Sequence, residues 1–175
     1  MTLAFKLRPD LIVVRNPAFR STTTQHSYWL GARRLREPCL YLDGDIIFDP
    51  ASFKHFLSAA AGRAEPLIGI TSTKTEHAVY VHLDQGGSAR SFSRTEGSAW
   101  EWANVALLPA GLLEENGGDV FSRLAQFTPL ATKPIDCYEV DTESDLAQAE
   151  AFARELGRLA ESVTPQATTP AVARE

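Results

Sequence analysis

The chain has 175 residues, 44% of them hydrophobic, which is enough for one domain with a substantial core. Its formal net charge is −5, so we do not expect general nucleic-acid binding, which requires a basic surface. The apolar runs are no longer than strands and the N-terminus has no signal-peptide pattern, so we expect a cytoplasmic protein without a membrane partner. Both cysteines lie inside apolar runs, which favours buried free thiols over a disulfide.

The first half of the chain predicts alternating strands and helices. Each strand is a short apolar run, and each helix begins at a capping residue, such as Asp49 before Pro50 at the first helical position. In chain order we predict a strand over 11–14, a helix from the threonines 22–24 to residue 35, a strand over 39–43, a helix over 51–61 and a strand over 67–71.

The second half begins with a hairpin signal, in which the runs 77–83 and 89–93 flank the turn residues Asp84–Ser88. Further on we predict a strand over 100–108, a short helical piece that starts at 109–111, a helix over 120–127, a strand over 135–140 and a helix that opens at Thr142, with Asp145 as its capping-box partner. This order predicts an α/β fold with a mixed β-sheet and helices on both faces, over residues 1–163. A disordered tail is expected over 164–175.

Two carboxylates, Asp43 and Asp45, follow an apolar strand in the run Leu40–Phe48. They lie at the strand end where ligands bind in open α/β sheets. One carboxylate can hold a divalent cation while the other holds a ribose or a backbone amide. The alternative is that Asp-Gly-Asp is only a turn, because these residues favour turns. A turn accounts for Gly44 but not for the fully apolar strand before it.

A second pair of carboxylates, Glu139 and Asp141, lies at the end of the predicted strand 135–140. Asp141 also precedes a helix, so helix capping is its alternative role. If the two strands are neighbours, Asp45 and Asp141 can hold one Mg²⁺ between them and leave positions open for phosphate oxygens. The two pairs together predict a metal and nucleotide site.

Aromatic residues on the strand 100–108 predict a pocket beside these carboxylates. Strand alternation places Trp100, Trp102 and Asn104 on one face, and Glu101 lies between the tryptophans in the sequence. Two tryptophans beside a carboxylate suit a cationic head group, and Tyr138 on another strand can join them. The alternative is that the tryptophans belong to the core.

Two basic residues, Arg20 and Lys74, follow predicted strands on the side of the carboxylates. Cationic side chains at such a position can contact phosphate oxygens. The alternative is that both lie on solvated surfaces.

Several segments together resemble the sugar-nucleotidyltransferase superfamily, and within it the cytidylyltransferases of the phosphocholine type. The similarity extends over residues 11–156, and its most specific parts are the strand that ends in Asp-Gly-Asp and the later Glu-Val-Asp-Thr segment. The matching segments are 14–19, 22–30, 42–48, 101–108 and 138–146.

This resemblance implies a Rossmann-like, three-layer fold with a mixed β-sheet. It also implies Mg²⁺-dependent transfer of a nucleotidyl group, with CMP expected, from a nucleoside triphosphate to a phosphorylated small alcohol or sugar. Asp45, with Asp141 or Glu139, would hold the Mg²⁺. Together with the residues discussed above, the expected substrate contacts are Asp43, Glu101, Trp102, Asn104, Tyr138, Arg20 and Lys74.

The superfamily opens with a strand and a glycine-rich loop whose arginine and backbone seat the triphosphate and the base. This segment has no counterpart before Asn16-Pro17, so we expect an N-terminally truncated version of the fold. The open sheet edge would favour a homodimer or a partner chain. Three explanations of the missing segment are open. The chain is a fragment, or another polypeptide completes it, or it is a relative that binds a ligand or partner without catalysis.

Two other functions are open at this point. A nucleotide-sugar glycosyltransferase would use Asp43-Gly44-Asp45 as an Asp-x-Asp motif that holds a divalent cation and a diphosphate. A non-catalytic nucleotidyltransferase-like subunit would bind a partner chain and no nucleotide.

Overall fold

The computed structural model describes residues 6–75, 77–115 and 118–163, so the predicted tail 164–175 lies outside the described residues. Strands and helices alternate in the first half of this part as the sequence predicts, except that the strand Cys39–Leu42 is followed directly by a second strand, Ile46–Phe48. In chain order the elements are α1 (Thr24–Ala32), β1 (Cys39–Leu42), β2 (Ile46–Phe48), α2 (Pro50–Ala60), β3 (Leu67–Ser72), β4 (Tyr80–Leu83), β5 (Ala89–Ser93), β6 (Trp100–Leu108), α3 (Val120–Leu124) with a 3-10 turn (Ala125–Phe127), β7 (Ala131–Pro134), β8 (Cys137–Glu139) and α4 (Glu143–Val163).

Strand β6 is the centre of a six-stranded sheet with the order β5-β4-β6-β3-β7, in which β1 also pairs with β6. On one side, β3 lies antiparallel along the whole of β6, and β7 lies parallel to β3. On the other side, β1 pairs antiparallel with the second half of β6, from Val105 to Leu108, and β4 pairs with its first half at Glu101. Strands β1, β3 and β7 therefore run in one direction and β6 in the other, which confirms the mixed sheet.

Helices cover both faces of this sheet, as predicted. On one face, Phe56 of α2 is fully buried and packs in a cluster with Val105 of β6. On the other face, Leu124 of α3 lies in a separate cluster with Ala106 of β6, and Tyr28 of α1 packs against it. Successive residues of β6 enter different clusters because neighbouring side chains of a strand point to opposite faces.

Strands β2 and β8 form a separate two-stranded antiparallel ribbon. Ile46 is opposite Glu139 at one end, and Phe48 is opposite Cys137 at the other. Ile46 and Phe48 pack against the cluster that contains Phe56, so the ribbon lies on the α2 face of the sheet. This packing brings the turn between β1 and β2 next to the end of β8.

Capping residues determine where the two helices beside the ribbon begin. The Asp49 side chain accepts a hydrogen bond from the Ser52 N–H at 2.7 Å, and Pro50 is the first residue of α2. Before α4, the Thr142 hydroxyl accepts from the Asp145 N–H at 3.2 Å, and the Asp145 carboxylate accepts from the Thr142 N–H at 2.9 Å. These two bonds confirm the predicted capping box.

Three predicted elements differ from the structure. The predicted strand Leu11–Val14 is wrong, because these residues pair with no described strand and their side chains are between 42% and 88% exposed. The predicted helical piece at 109–111 is a turn. Only Cys137–Glu139 of the predicted strand 135–140 is a strand. The sequence pattern also misses β7, because Ala131–Pro134 contains a lysine and a proline and no apolar run.

The outer edge of β1 has no partner strand among the described residues. Leu42 at the end of this strand is 40% exposed. An open strand edge favours pairing with a further strand, and the expected homodimer or partner chain stays a prediction.

Cys39 and Cys137 are both free thiols, and Cys137 is buried. Burial raises the pKa of Cys137 to about 11, so this thiol stays protonated at neutral pH. Among the helices of the described residues, none combines the length and the apolar character needed to cross a membrane.

Gly69 of β3 is required by the close approach of two neighbouring side chains. A Cβ atom at this position would lie 2.3 Å from Val105 Cγ1 and 2.8 Å from Ile135 Cδ1. We predict that Gly69→Ala lowers the free energy of unfolding by roughly 1–3 kcal/mol, because buried side chains must move to accept the methyl group. Urea unfolding followed by circular dichroism measures this change.

Gly31→Ala is the matched control, because Gly31 lies in α1 and an added Cβ atom would meet nothing within 4 Å. Alanine is a better helix residue than glycine by about 0.5–1 kcal/mol, so this variant should be at least as stable as the wild type. A Gly69→Ala protein with wild-type stability would contradict the close packing of β3 against β6.

Candidate functional site

Asp43 and Asp45 lie in the turn between β1 and β2, at the carboxyl end of β1. The Asp43 N–H donates to the Asn104 carbonyl at 3.3 Å, just beyond the last β1–β6 pair. Further along β6, the Trp102 N–H donates instead to the Val79 carbonyl at 2.9 Å, beside β4. Strands β1 and β4 thus flank different parts of β6 and leave a gap between them near Asn104. Asp43 lies at the edge of this gap.

Glu139, at the end of β8 in the ribbon, lies beside Asp43 and Asp45. It lies opposite Ile46, and the next residue, Val140, donates its N–H to the Asp45 carbonyl at 2.9 Å. Carboxylate oxygens of Asp43, Asp45 and Glu139 all lie within 4.8 Å of one another. The structure therefore brings together both carboxylates of the first predicted pair and one of the second. We call these three residues the carboxylate cluster.

Two neighbouring side chains orient this cluster. The Tyr28 hydroxyl of α1 donates to Asp43 Oδ1, and Asn104 Nδ2 of β6 donates to Glu139 Oε1 at 2.7 Å. Asn104 has a left-handed backbone conformation with φ of 50°, which asparagine tolerates better than most other side-chain-bearing residues. Two members of the cluster are therefore held by neutral donors from different elements of the fold.

Burial and neighbouring negative charges raise the pKa values of Glu139 and Asp43. Burial is the main cause that raises the pKa of Glu139 to about 7, and the charge of Asp141 is the next. Burial also raises the pKa of Asp43, although the hydrogen bond from Tyr28 lowers it. Burial and the bond to Asp43 raise the pKa of Tyr28, so its hydroxyl stays protonated and can donate. A bound cation would offset this crowding of negative charge.

The carboxylate cluster fits a hard divalent cation. Three carboxylates offer only oxygen ligands, which Mg²⁺ and Ca²⁺ prefer. Mg²⁺ in particular commonly takes one or two carboxylates and leaves its other positions to water and phosphate. The bonds from Tyr28 and Asn104 are of the kind that orients metal ligands from outside the coordination shell.

Three further predicted residues lie next to the cluster without joining it. Asp141 is exposed and lines the same cleft as Glu139. Lys74 Nζ donates to Thr71 Oγ1 at 2.7 Å and lies 4.9 Å from the centre of the Tyr138 ring. Lys74 also lines a neighbouring cavity that faces the start of α4 and shares Glu139 and Asp141 with the cleft. The structure thus places one cation and one more carboxylate beside the cluster, and their roles stay predictions.

Glu101 and Trp102, which we predicted to contact the acceptor, are both buried. Glu101 is 3% exposed, and its carboxylate accepts from the Thr75 N–H at 3.3 Å and from the Thr75 hydroxyl at 2.8 Å. Trp102 is 8% exposed and packs in the core cluster that contains Leu124. Both residues also line a small cavity beside Asn104. Their contact with an acceptor stays a prediction.

The structure does not connect Arg20 to this site. Its guanidinium lies 5.6 Å from the centre of the Phe19 ring, on an exposed loop, and no hydrogen bond or ion pair between described residues links it to the cluster. Sequence reasoning missed Arg94, which follows β5 and lines the cleft. Its only sequence signal is a basic residue directly after a hairpin strand, which is common on protein surfaces.

The cleft is a cavity of about 210 Å³ at the carboxyl end of β1. Asp43, Glu139 and Asp141 line its acidic side. Arg94, which follows β5, and Phe121 of α3 line it from other elements of the fold. Ligands of open α/β sheets bind at this end of the strands.

No family model and no curated protein matches this sequence. Among solved structures, the chain is similar to the inositol-1-phosphate CTP transferase from T. maritima, with a TM-score of 0.68 and 17% identity over 93% of this chain and 74% of that chain. It is also similar to a UTP-bound UGPase from Acinetobacter baumannii, with a TM-score of 0.59 and 11% identity over 80% of this chain and 62% of that chain. A UDP-glucose pyrophosphorylase complexed with UDP-glucose gives a TM-score of 0.59 and 13% identity over 77% and 63%.

The chain has the nucleotidyltransferase fold. This finding confirms the fold that the sequence resemblance implied. Identities of 11% to 17% establish a shared fold and leave activity to be argued from the site. The chain spans less than two thirds of the length of two of these proteins, with 62% and 63% covered.

The raised pKa of Glu139 makes the stability of the metal-free protein depend on pH. The ordinary value is 4.5 and the folded value is about 7, so between these pH values the folded state binds more protons than the unfolded state. The stability from this group is therefore largest below the lower value and falls as the pH rises to the higher one.

We predict that the urea midpoint of the wild type, measured in EDTA, falls between pH 4.5 and 7 relative to that of Glu139→Gln. The variant is the matched reference because its amide cannot ionise, while its shape is nearly that of the protonated carboxyl group. A constant difference between the two proteins across this range would show that Glu139 does not titrate there.

Proposed function

We propose that this chain binds a nucleoside triphosphate with Mg²⁺ at Asp43, Asp45 and Glu139 and transfers its nucleotidyl group to a phosphorylated small alcohol or sugar. The observation that carries the proposal is the carboxylate cluster, which lies in a cleft of a nucleotidyltransferase fold. The proposed donor is CTP, so the group transferred is CMP. Support for this choice comes from the similarity to a CTP transferase and from the sequence resemblance to cytidylyltransferases.

In the proposed reaction, an oxygen of the acceptor phosphate attacks the α-phosphorus of the triphosphate. A bond forms between these two atoms, and the bond from the α-phosphorus to the oxygen that bridges to the β-phosphorus breaks. Pyrophosphate leaves with the electron pair of that bond. A bound Mg²⁺ would neutralise negative charge on the phosphate oxygens.

Residues of the chain hold the carboxylate groups in fixed orientations. Tyr28 holds Asp43 and Asn104 holds Glu139, so the carboxylates are preorganised rather than free to rotate. In this proposal Lys74, held by its bond to Thr71, contacts phosphate oxygens from the neighbouring cavity at the start of α4. The remaining predicted contacts keep their proposed roles: Asp141 at the metal, Arg20 at phosphate, and Glu101, Trp102, Asn104 and Tyr138 at the acceptor.

Calorimetric titration with CTP and the other triphosphates, with and without Mg²⁺, tests this proposal. We expect Mg²⁺-dependent binding with a preference for CTP. Asp45→Asn should weaken that binding by roughly tenfold or more, because even the outer partners of metal ligands contribute this much to metal affinity. Asp136→Asn is the matched control, since Asp136 is an exposed carboxylate at the other end of the same ribbon.

Pyrophosphate release with CTP and a panel of phosphorylated alcohols then tests turnover. If this chain alone binds no triphosphate, the proposal is wrong for the isolated chain, and a non-catalytic subunit or completion by another polypeptide is favoured. Cleavage of a nucleotide sugar, with no activity on free triphosphates, would favour the glycosyltransferase instead.

A further inference from the structure

A second cavity, of about 440 Å³, lies between the C-terminal end of α1 and the loop that follows β6. Cys39 at the start of β1 pairs with Leu108 at the end of β6. The segment before the first of these residues and the segment after the second both line the cavity. It shares no lining residue with the cleft beside the carboxylate cluster, so the two are separate. We call it the arginine cavity, because Arg33 and Arg36 line it.

Every polar side chain among the described residues that line the arginine cavity is a hydrogen-bond donor. The four are Trp29, Arg33, Arg36 and Tyr41, and no carboxylate accompanies them in the described lining. Indole and guanidinium groups donate only. Burial raises the pKa of Tyr41 to about 12, so its hydroxyl also keeps a proton to donate. Although the whole chain has a net charge of −5, this lining is positively charged and therefore favours an anion.

The charges of Arg33 and Arg36 are not neutralised by the described parts of the fold. Neither residue takes part in an ion pair there. Both are exposed, so their guanidinium groups are accessible to a ligand from solution. The planar fork of N–H donors on each group matches two oxygens of a carboxylate or a phosphate.

An aromatic ring lies directly beside one of these guanidinium groups. The guanidinium carbon of Arg33 is 5.2 Å from the centre of the Trp29 ring, a cation–π contact that restricts its orientation. An anion bound to Arg33 is thus held next to the indole. Leu35 and Leu113 add apolar surface to the same lining, and Leu35 is 53% exposed. A ligand with a ring close to its anionic group would cover this surface and stack on the indole.

We propose that the arginine cavity binds an aromatic organic anion, with its ring on Trp29 and its carboxylate or phosphate at Arg33 and Arg36. The cavity volume of about 440 Å³ lies within the ~300–1,000 Å³ typical of sites for small organic ligands. This site goes beyond the proposed function and does not depend on it, because it involves neither the carboxylate cluster nor the cleft.

Titration of the ¹⁵N-labelled chain with phenyl phosphate and, separately, with phenylacetate tests the inference, in EDTA and without nucleotide. The indole Nε1–H signal of Trp29, assigned by its loss in Trp29→Phe, should shift in a saturable manner. The probe that binds more tightly identifies the anion as a phosphate or a carboxylate. Trp102 lines the cleft, so its indole signal reports binding there. An unmoved Trp29 signal with both probes, whether or not the Trp102 signal moves, would overturn the inference.

Two further ligands separate the ring from the charge. Methyl phosphate lacks the ring and should bind at Trp29 more weakly by roughly tenfold or more, because little apolar surface is then covered. Benzyl alcohol lacks the charge and should lose a similar amount, because it makes no charge-assisted hydrogen bond. If either ligand shifts the Trp29 signal with the affinity of the better aromatic anion, the proposed recognition is wrong.

Three arginine variants test the anion contact. Arg33→Gln and Arg36→Gln should each weaken binding by about fivefold to tenfold, the range between an exposed ion pair and a charge-assisted hydrogen bond. Arg34→Gln is the matched control, since Arg34 lies between them in the sequence, is exposed and is not part of the lining. It should bind like the wild type. An equal loss in Arg34→Gln would indicate only general charge attraction, and wild-type affinity in Arg33→Gln or Arg36→Gln would also contradict the inference.

Discussion

The exchange of partner strands along β6 is the constraint on which the site depends. Strand β1 accompanies β6 only as far as Val105, and β4 takes over at Glu101. Between these points, single hydrogen bonds from Asp43 and Trp102 connect β6 to its neighbours. A strand paired continuously with β6 would occupy the place where the cleft opens. The gap instead leaves Asn104 free to reach across to Glu139.

The opposite side of β6 is irregular at the same level. Ile68 pairs with Ala106 but Ile70 pairs with Trp102, so Gly69 faces extra residues of β6. An irregularity of this kind bends a strand and redirects its side chains. The left-handed conformation of Asn104 lies within this stretch, where few side chains other than asparagine are tolerated. The missing side chain at position 69 and the orientation of Asn104 are therefore parts of one local distortion.

Local signals account for the parts of the fold that the sequence predicts well. The hairpin around Asp84–Ser88, the strand Trp100–Leu108 and the cap at Asp49 each depend on neighbouring residues and agree with the structure. The ribbon depends instead on pairing between segments about ninety residues apart, and its register is not visible in either segment. Because Ile46 is opposite Glu139, Asp45 lies beside Val140. The cluster consequently contains Glu139, while Asp141 lies beside it.

Neutral donors around the carboxylates distinguish this site from an ordinary ion-pair network. Structural networks also shift pKa values, but they do so by placing arginine or lysine against the carboxylates. Here a hydroxyl and an amide orient Asp43 and Glu139 and leave their negative charge unneutralised. The nearby Lys74 bonds to Thr71 and packs on Tyr138 rather than forming an ion pair with the cluster. Among the described residues, no lysine or arginine forms an ion pair with these carboxylates. Burial, and after it the charge of Asp141, raises the pKa of Glu139, and a bound cation would lower this pKa again.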